Sequence, residues 1–250
     1  RHTRYGTVTG VQTCALPISR ITGLLYFVIM ALALYAEIKV RGGLIVNGDA
    51  AMTARNILAA EPLWRLGGGL DVVTYLCDTA VAALLYRIMA PAGRSLALVA
   101  ATFRVVYSAM AGVLCIFSFG ALGILHGHGL DALAPAQQQA MALSLLNLRE
   151  TGFVVALVFF GVHLLLLGVL VMESRFLPGL IGALLFLAGC GYIVNSVADL
   201  LFPEVSFGPW LLLPGLVGEG IFTLWLIVVG LNAKVWNERH ERTAADRAAA

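Results

Sequence analysis

Long apolar runs separated by short polar stretches set the pattern of this chain. The first, Ile21 to Ala36, closes on Glu37, Lys39 and Arg41. Gly67 to Met110 holds two more around a Pro-Ala-Gly-Arg turn, and the second of these continues to about Leu125. After a polar loop, Pro135 begins a short helix that leads into a fourth run, about Thr151 to Met172. Leu177 to Leu201 is the fifth, and a sixth ends near Leu231. About 20 apolar residues carry a helix across a hydrocarbon core about 30 Å thick. The pattern therefore predicts an all-α fold, a polytopic membrane bundle of about six transmembrane helices over residues 20–233. Residues 234–250 read as a polar cytoplasmic tail that frays.

The polar stretches carry their own signals. Asp49 is placed to cap a short interfacial helix in the first outer loop, to about Ala60, because its carboxylate can accept first-turn amides. Pro62 is expected to break that helix, and Trp64 to anchor at the interface. Val8 to Ile18 reads VTGVQTCALPI. This string resembles the translation of a sequencing-library adapter, so residues 1–19 are set aside as an artefact with no apolar face to bury.

Ionisable residues inside the apolar runs change the picture. A charge at mid-membrane depth costs about 2.5–3.5 kcal/mol even on lenient insertion scales, so it needs a partner or a purpose. Asp78 lies nine residues before Arg87, and Arg104 ten residues after Arg94, on opposite arms of the hairpin. Both then sit roughly 14–15 Å deep and face each other across an antiparallel pair. His163 and Glu219 lie about twelve residues or more from the ends of their runs and join them in a midplane polar cluster. Glu37, Asp71, Glu150, Asn195 and Asp199 form an outer polar layer, with Arg149 at similar depth. Asp71, Thr74 and Asp78 share one helix face, as do Arg104, Tyr107 and Ser108, and Glu219 and Thr223. One arginine faces more acids than it can neutralise, so an excess carboxylate needs a proton or water. His163 is placed to share a proton. Pro214, Gly215, Gly218 and Gly220 surround Glu219, and helix breaks beside an ionisable residue can build a midplane site. Gly161, Gly168, Gly182 and Gly189 read as close-packing positions.

Composition agrees with the runs. Apolar residues make up 60% of the 250 and charged residues 12%, and mean hydropathy is +0.91. Soluble domains carry about 25% charged residues. A net charge of +2 gives no case for nucleic acid. Cys77, Cys115 and Cys190 lie in apolar runs without metal spacing and read as packing residues. His126 and His128 are one residue apart in a Gly-rich loop, a weak metal pattern, and read as solvated. No cofactor or metal is implied. Arg20, Arg87, Arg94, Arg175, Lys234, Arg239, Arg242 and Arg247 fall on the side of the termini. Lys39, Arg41, Arg55, Arg65 and Arg149 fall on the other, in two longer loops. The positive-inside rule then puts both termini in the cytoplasm of a bacterial cell, with the inner membrane as the bilayer.

Several segments carry a resemblance. LCDTAVAALLY (76–86), RSLALVAATFRVV (94–106), ALVFFGVHLLLLG (156–168), SRFLPGLIGALLFLAGCGYIVNS (174–196) and GEGIFTLWLIVVGLN (218–232) stand out. With RITGLLY (20–26) and GDAAMTARNILAAE (48–61), they resemble the uncharacterised bacterial membrane family called domain of unknown function 4386. The resemblance covers essentially everything after residue 19. It implies a polytopic membrane protein and brings no activity, ligand or catalytic residue. Three classes of function stand. One is binding or transport of a small solute or proton at the midplane cluster. Another is a structural or regulatory membrane protein whose charges only fix helix packing. The third, an intramembrane hydrolase, is weakest, because His163 lies about 18 Å deeper than His126 and His128.

Overall fold

The computed structural model describes residues 8–127, 132–202, 204, 210 and 212–249, with side chains from Ala15 to Thr243. The described residues are helical and contain no strand. In chain order the helices are α1 (Val8–Tyr35), α2 (Gly42–Leu44), α3 (Ala50–Ala59), α4 (Glu61–Met89) and α5 (Arg94–Leu125). They continue with α6 (Pro135–Ser174), α7 (Gly179–Leu201), α8 (Leu213–Val228) and α9 (Ala233–Ala249). A π-helical turn, Ala36–Arg41, joins α1 to α2. Five helical segments are individually long and apolar enough to cross a membrane. A sixth crossing is reached only if α8 and the start of α9, bent by 95°, are taken together. The chain is thus a polytopic membrane helical bundle. The fourth run is longer than its apolar part, because α6 continues unbroken for 40 residues, about 60 Å.

Two compact units divide the chain. Unit 1 comprises residues 1–27, 78–106 and 157–250, and unit 2 comprises residues 28–77 and 107–156. Within unit 1, α6 and α7 approach until only glycine fits. A Cβ on Gly161 would stand 3.0 Å from the Gly189 carbonyl oxygen, and one on Gly168 would stand 2.7 Å from that of Gly182. These are the close-packing positions expected of small residues in membrane helices. Gly215 of α8 faces the Tyr192 ring and Gly218 faces the Leu184 backbone, so α7 and α8 are also tightly packed. Gly230, at φ +77°, takes the left-handed conformation that ends α8. The tail beyond it does not fray as a coil. It forms α9, where the Trp236 indole donates to the Ile88 carbonyl at 2.9 Å and stacks on His240. Residues 8–19 are helical and continuous with the first span. Ala15 and Ser19 are buried, so the end of this stretch packs, against the expectation that it has no face to bury.

Unit 2 has its own apolar core of Val40, Leu44, Ile57, Trp64, Leu122 and Leu146 among others. Trp64 belongs to this core rather than to the interface, because its indole N–H caps the Ser118 carbonyl at 3.0 Å. Asp49 caps α3 as its position predicts, accepting from the Met52 amide at 2.8 Å. Pro62 does not break α3. It stands second in α4, where the missing N–H has no intrahelical partner to lose, and α3 ends at Ala59, with Ala60 as its C-cap, before it.

Candidate functional site

Unit 1 gathers one polar residue from each of six helices: Tyr26 (α1), Asp78 (α4), Arg104 (α5), His163 (α6), Tyr192 (α7) and Glu219 (α8). Arg104 is the centre and is fully buried. It donates from Nη2 to Asp78 Oδ1 at 2.5 Å and from Nη1 to His163 Nε2 at 3.1 Å. Its guanidinium also lies over the ring of Tyr26, 4.4 Å from the centroid, and within 5.3 Å of that of Phe160. Four helices thus converge on a cation that the bilayer core could not solvate. The sequence-predicted facing of Asp78 and Arg104 is present as a contact.

The neighbours of His163 fix its tautomer. A guanidinium can only donate, so Nε2 is the acceptor, and Nδ1–H donates to the Ala100 carbonyl at 2.9 Å. Both ring nitrogens are engaged. Taking a proton on Nε2 would require Arg104 to leave that nitrogen.

Glu219 has different partners. Tyr26 donates its hydroxyl to Oε2 at 2.6 Å and Tyr192 donates to Oε1 at 3.0 Å. Among the described residues, its hydrogen bonds come from phenols and not from a cation. Phe222, one turn along α8, meets the Tyr26 ring edge-on, and the Phe160 ring meets that of Tyr192. The two phenols are therefore held by packing and cannot easily turn away.

Unit 2 holds a second ionic cluster with the proportions reversed. Asp71 Oδ2 accepts from Arg41 Nη1 at 2.7 Å and from Arg149 Nη2 at 3.4 Å. Asp71 and Arg149 are buried. Arg41 also pairs with Glu37 at 2.6 Å, and Glu150 lies 3.9 Å from Arg149, but both glutamates are more than half exposed. The π-helical turn supplies Arg41: its wider winding is closed by the Gly42 amide donating to the Glu37 carbonyl. The outer polar layer read from the sequence is therefore not one assembly. Glu37, Asp71 and Glu150 belong to this cluster in unit 2. Asn195 and Asp199 pair with each other in unit 1, at 3.0 Å on an exposed face of α7.

His126 meets Glu61 at 3.0 Å, beside the Glu61–Arg65 pair, and His128 lies outside the described residues. No group of three His, Cys, Asp or Glu side chains suited to a metal occurs among the described residues. Tyr26, Tyr192 and Arg41 are site residues that the sequence did not reveal. A tyrosine in an apolar run reads as packing, and Arg41 reads as an ordinary charge at the end of a span. The available signal for Tyr26 was that it stands eleven residues before Glu37, the first charge at the end of its run.

Comparison with known proteins comes to the same family as the sequence segments. The model of the family described as "Domain of unknown function (DUF4386)" matches residues 21–230. One relative, an "Uncharacterized protein" of the archaeon Archaeoglobus fulgidus, is 31% identical over 155 residues, 62% of this chain and 78% of that protein. No solved structure matches. This chain belongs to the domain of unknown function 4386 family.

Proposed function

We propose that Glu219, held between Tyr26 and Tyr192, is a proton-binding site in the bilayer core, and that the Arg104–Asp78–His163 group is the frame that carries it. One observation supports this reading: the buried carboxylate of Glu219 is held by two phenols. A phenol both donates and accepts, whereas a guanidinium only donates. Glu219 can gain or lose a proton and keep both partners, because either tyrosine can reverse its hydrogen bond. Asp78 has no such freedom, since protonating it removes the charge that Arg104 needs. The natural cargo of such a site is a proton, alone or coupled to a small solute.

The test uses the protein in proteoliposomes with a pH-sensitive dye inside and an imposed potential. Wild-type protein is expected to move protons, and Glu219→Gln to abolish the flux while folding normally. A Glu219→Gln protein that conducts as well as wild type would end the reading. A Glu219→Gln protein that fails to fold would favour a second reading, in which the charges only hold helices together. That reading draws on the closure of the network, since Arg104 is fully buried and its named partners are all internal.

The same proposal places the chain in a bacterial inner membrane with both termini in the cytoplasm. The short polar loops carry the arginine excess. Cysteine labelling at Arg94 or Arg239 should then occur from the cytoplasm and at Gln138 from outside. The reverse pattern would invert the orientation.

A further inference from the structure

We propose that the groove between α4 and α5 seats an anionic phospholipid, with one acyl chain along the groove and the phosphate on Arg94. The groove itself is the first observation. It lies within unit 1, holds about 370 Å³, and its walls are almost entirely apolar. Its α4 wall runs from Thr79 to Tyr86 and its α5 wall from Leu98 to Val106. Seven or eight residues of helix are about 10–12 Å, so the groove is a trough along the helix axes. Ala83 and Thr102 line it with short side chains, and both are exposed, which leaves the trough open on one side. The second observation is a cation at one end of it. Arg94 precedes Leu98 by one turn on the same face of α5, and its Nε donates to the Tyr86 hydroxyl at 3.3 Å. That bond ties the guanidinium to the wall of the groove and leaves both Nη groups for two phosphate oxygens. The turn from Arg87 to Arg94 contains these two arginines and no acid. Both are exposed, and among the described residues neither pairs with a carboxylate.

Dimensions and charge together choose the occupant. Arg94 begins α5 at the end of a span, and Val106 lies twelve residues further on. That rise is about 18 Å, close to half of a hydrocarbon core about 30 Å thick. A lipid whose phosphate is level with Arg94 therefore lays its chain beside the groove over the groove's whole length. Tyr86 stands at the same end, where an aromatic ring with a polar tip meets the headgroups. Basic pockets between membrane helices take anionic headgroups, whereas a zwitterionic lipid brings its own cation towards the arginine. The groove is separate from the site proposed at Glu219, and neither depends on the other.

Purified full-length protein in micelles with equal amounts of phosphatidylglycerol and phosphatidylcholine would be examined by native mass spectrometry, which counts the lipids each protein retains. Wild-type protein is expected to retain phosphatidylglycerol in preference to phosphatidylcholine. Arg94→Gln should lower that preference about fivefold, the size of one basic residue at an anionic headgroup. Ala83→Leu fills the trough and should lose the retained lipid of either kind. If that variant does not fold, Thr102→Leu fills the trough from the other wall, with the same loss expected. Equal retention of the two lipids by wild type would overturn the proposal, as would an unchanged preference in Arg94→Gln or unchanged retention in the filled variant. A wild-type dimer that Ala83→Leu dissociates would also overturn it, and would give the groove to a second copy of the chain.

Discussion

Each unit of this molecule buries a guanidinium against a carboxylate, and the minority partner differs. In unit 1 a single arginine, Arg104, stands among two acids, Asp78 and Glu219. In unit 2 two arginines, Arg41 and Arg149, share one buried acid, Asp71, while Glu37 and Glu150 meet them from the exposed rim. The surplus group is treated differently in each. The surplus acid of unit 1 is given two tyrosine hydroxyls. The second arginine of unit 2 is given an exposed carboxylate, Glu37 on Arg41 at 2.6 Å. An apolar environment tolerates a surplus carboxylate by handing it neutral donors, or by letting it take a proton. It has no equivalent remedy for arginine, which does not give up its proton. The second cation therefore has an anion at the rim, Glu37, and the second acid needs none.

This contrast predicts how substitutions will rank. The largest effect belongs to the minority charge of unit 1. Asp78→Asn and Arg104→Gln each leave a buried charge uncompensated and should each cost about 3–5 kcal/mol, while the double variant recovers most of it. Thermal unfolding in detergent reads the cycle, and additive losses would show that the pair does not interact. Next is Asp71→Asn in unit 2, expected to cost about 2–4 kcal/mol because two cations lose their only buried anion. Arg149→Gln should cost less, about 1–2 kcal/mol, because Arg41 remains to pair with Asp71. Equal losses at Asp71 and Arg149 would break the stoichiometric argument. The smallest effect on stability, under about 1 kcal/mol, is expected for Glu219→Gln. The amide keeps the shape and can still bond both phenols. A loss as large as that of Asp78→Asn would place Glu219 in the frame instead.

The sequence makes the unit 1 frame legible for a simple reason. Two opposite charges at matching depth on adjacent arms of a hairpin have few other places to go, so Asp78 and Arg104 could be paired by counting residues from the turn. Depth could also bring His163 and Glu219 into the same layer. It could not say which of them touches the arginine, because that depends on helix rotation. His163 touches it, and Glu219 turns to the tyrosines. Depth failed for the outer layer, where residues at similar height belong to different groups: Asp71 and Glu37 meet arginines, and Asn195 and Asp199 meet each other. Arg41 was hidden because a π-helical turn shifts the helix phase, and no residue type announces that shift. Trp64 was misplaced because an indole near the end of a span suits an interface or a core equally well. Here the deciding factor is the Ser118 carbonyl that needs its N–H.

The glycine pairs of α6 and α7 have a mechanical consequence. Gly161 faces Gly189 and Gly168 faces Gly182, seven residues further along one helix and seven back along the other. Two such notches in register act as a pawl. Sliding either helix by one residue would drive a side chain into the opposing backbone, so translation along this seam is removed as a degree of freedom. His163 on α6 and Tyr192 on α7 therefore keep a fixed longitudinal offset. A working cycle that exposes Glu219 must move α8 past this locked pair, or swing α8 about Gly230. It cannot run by shearing α6 against α7.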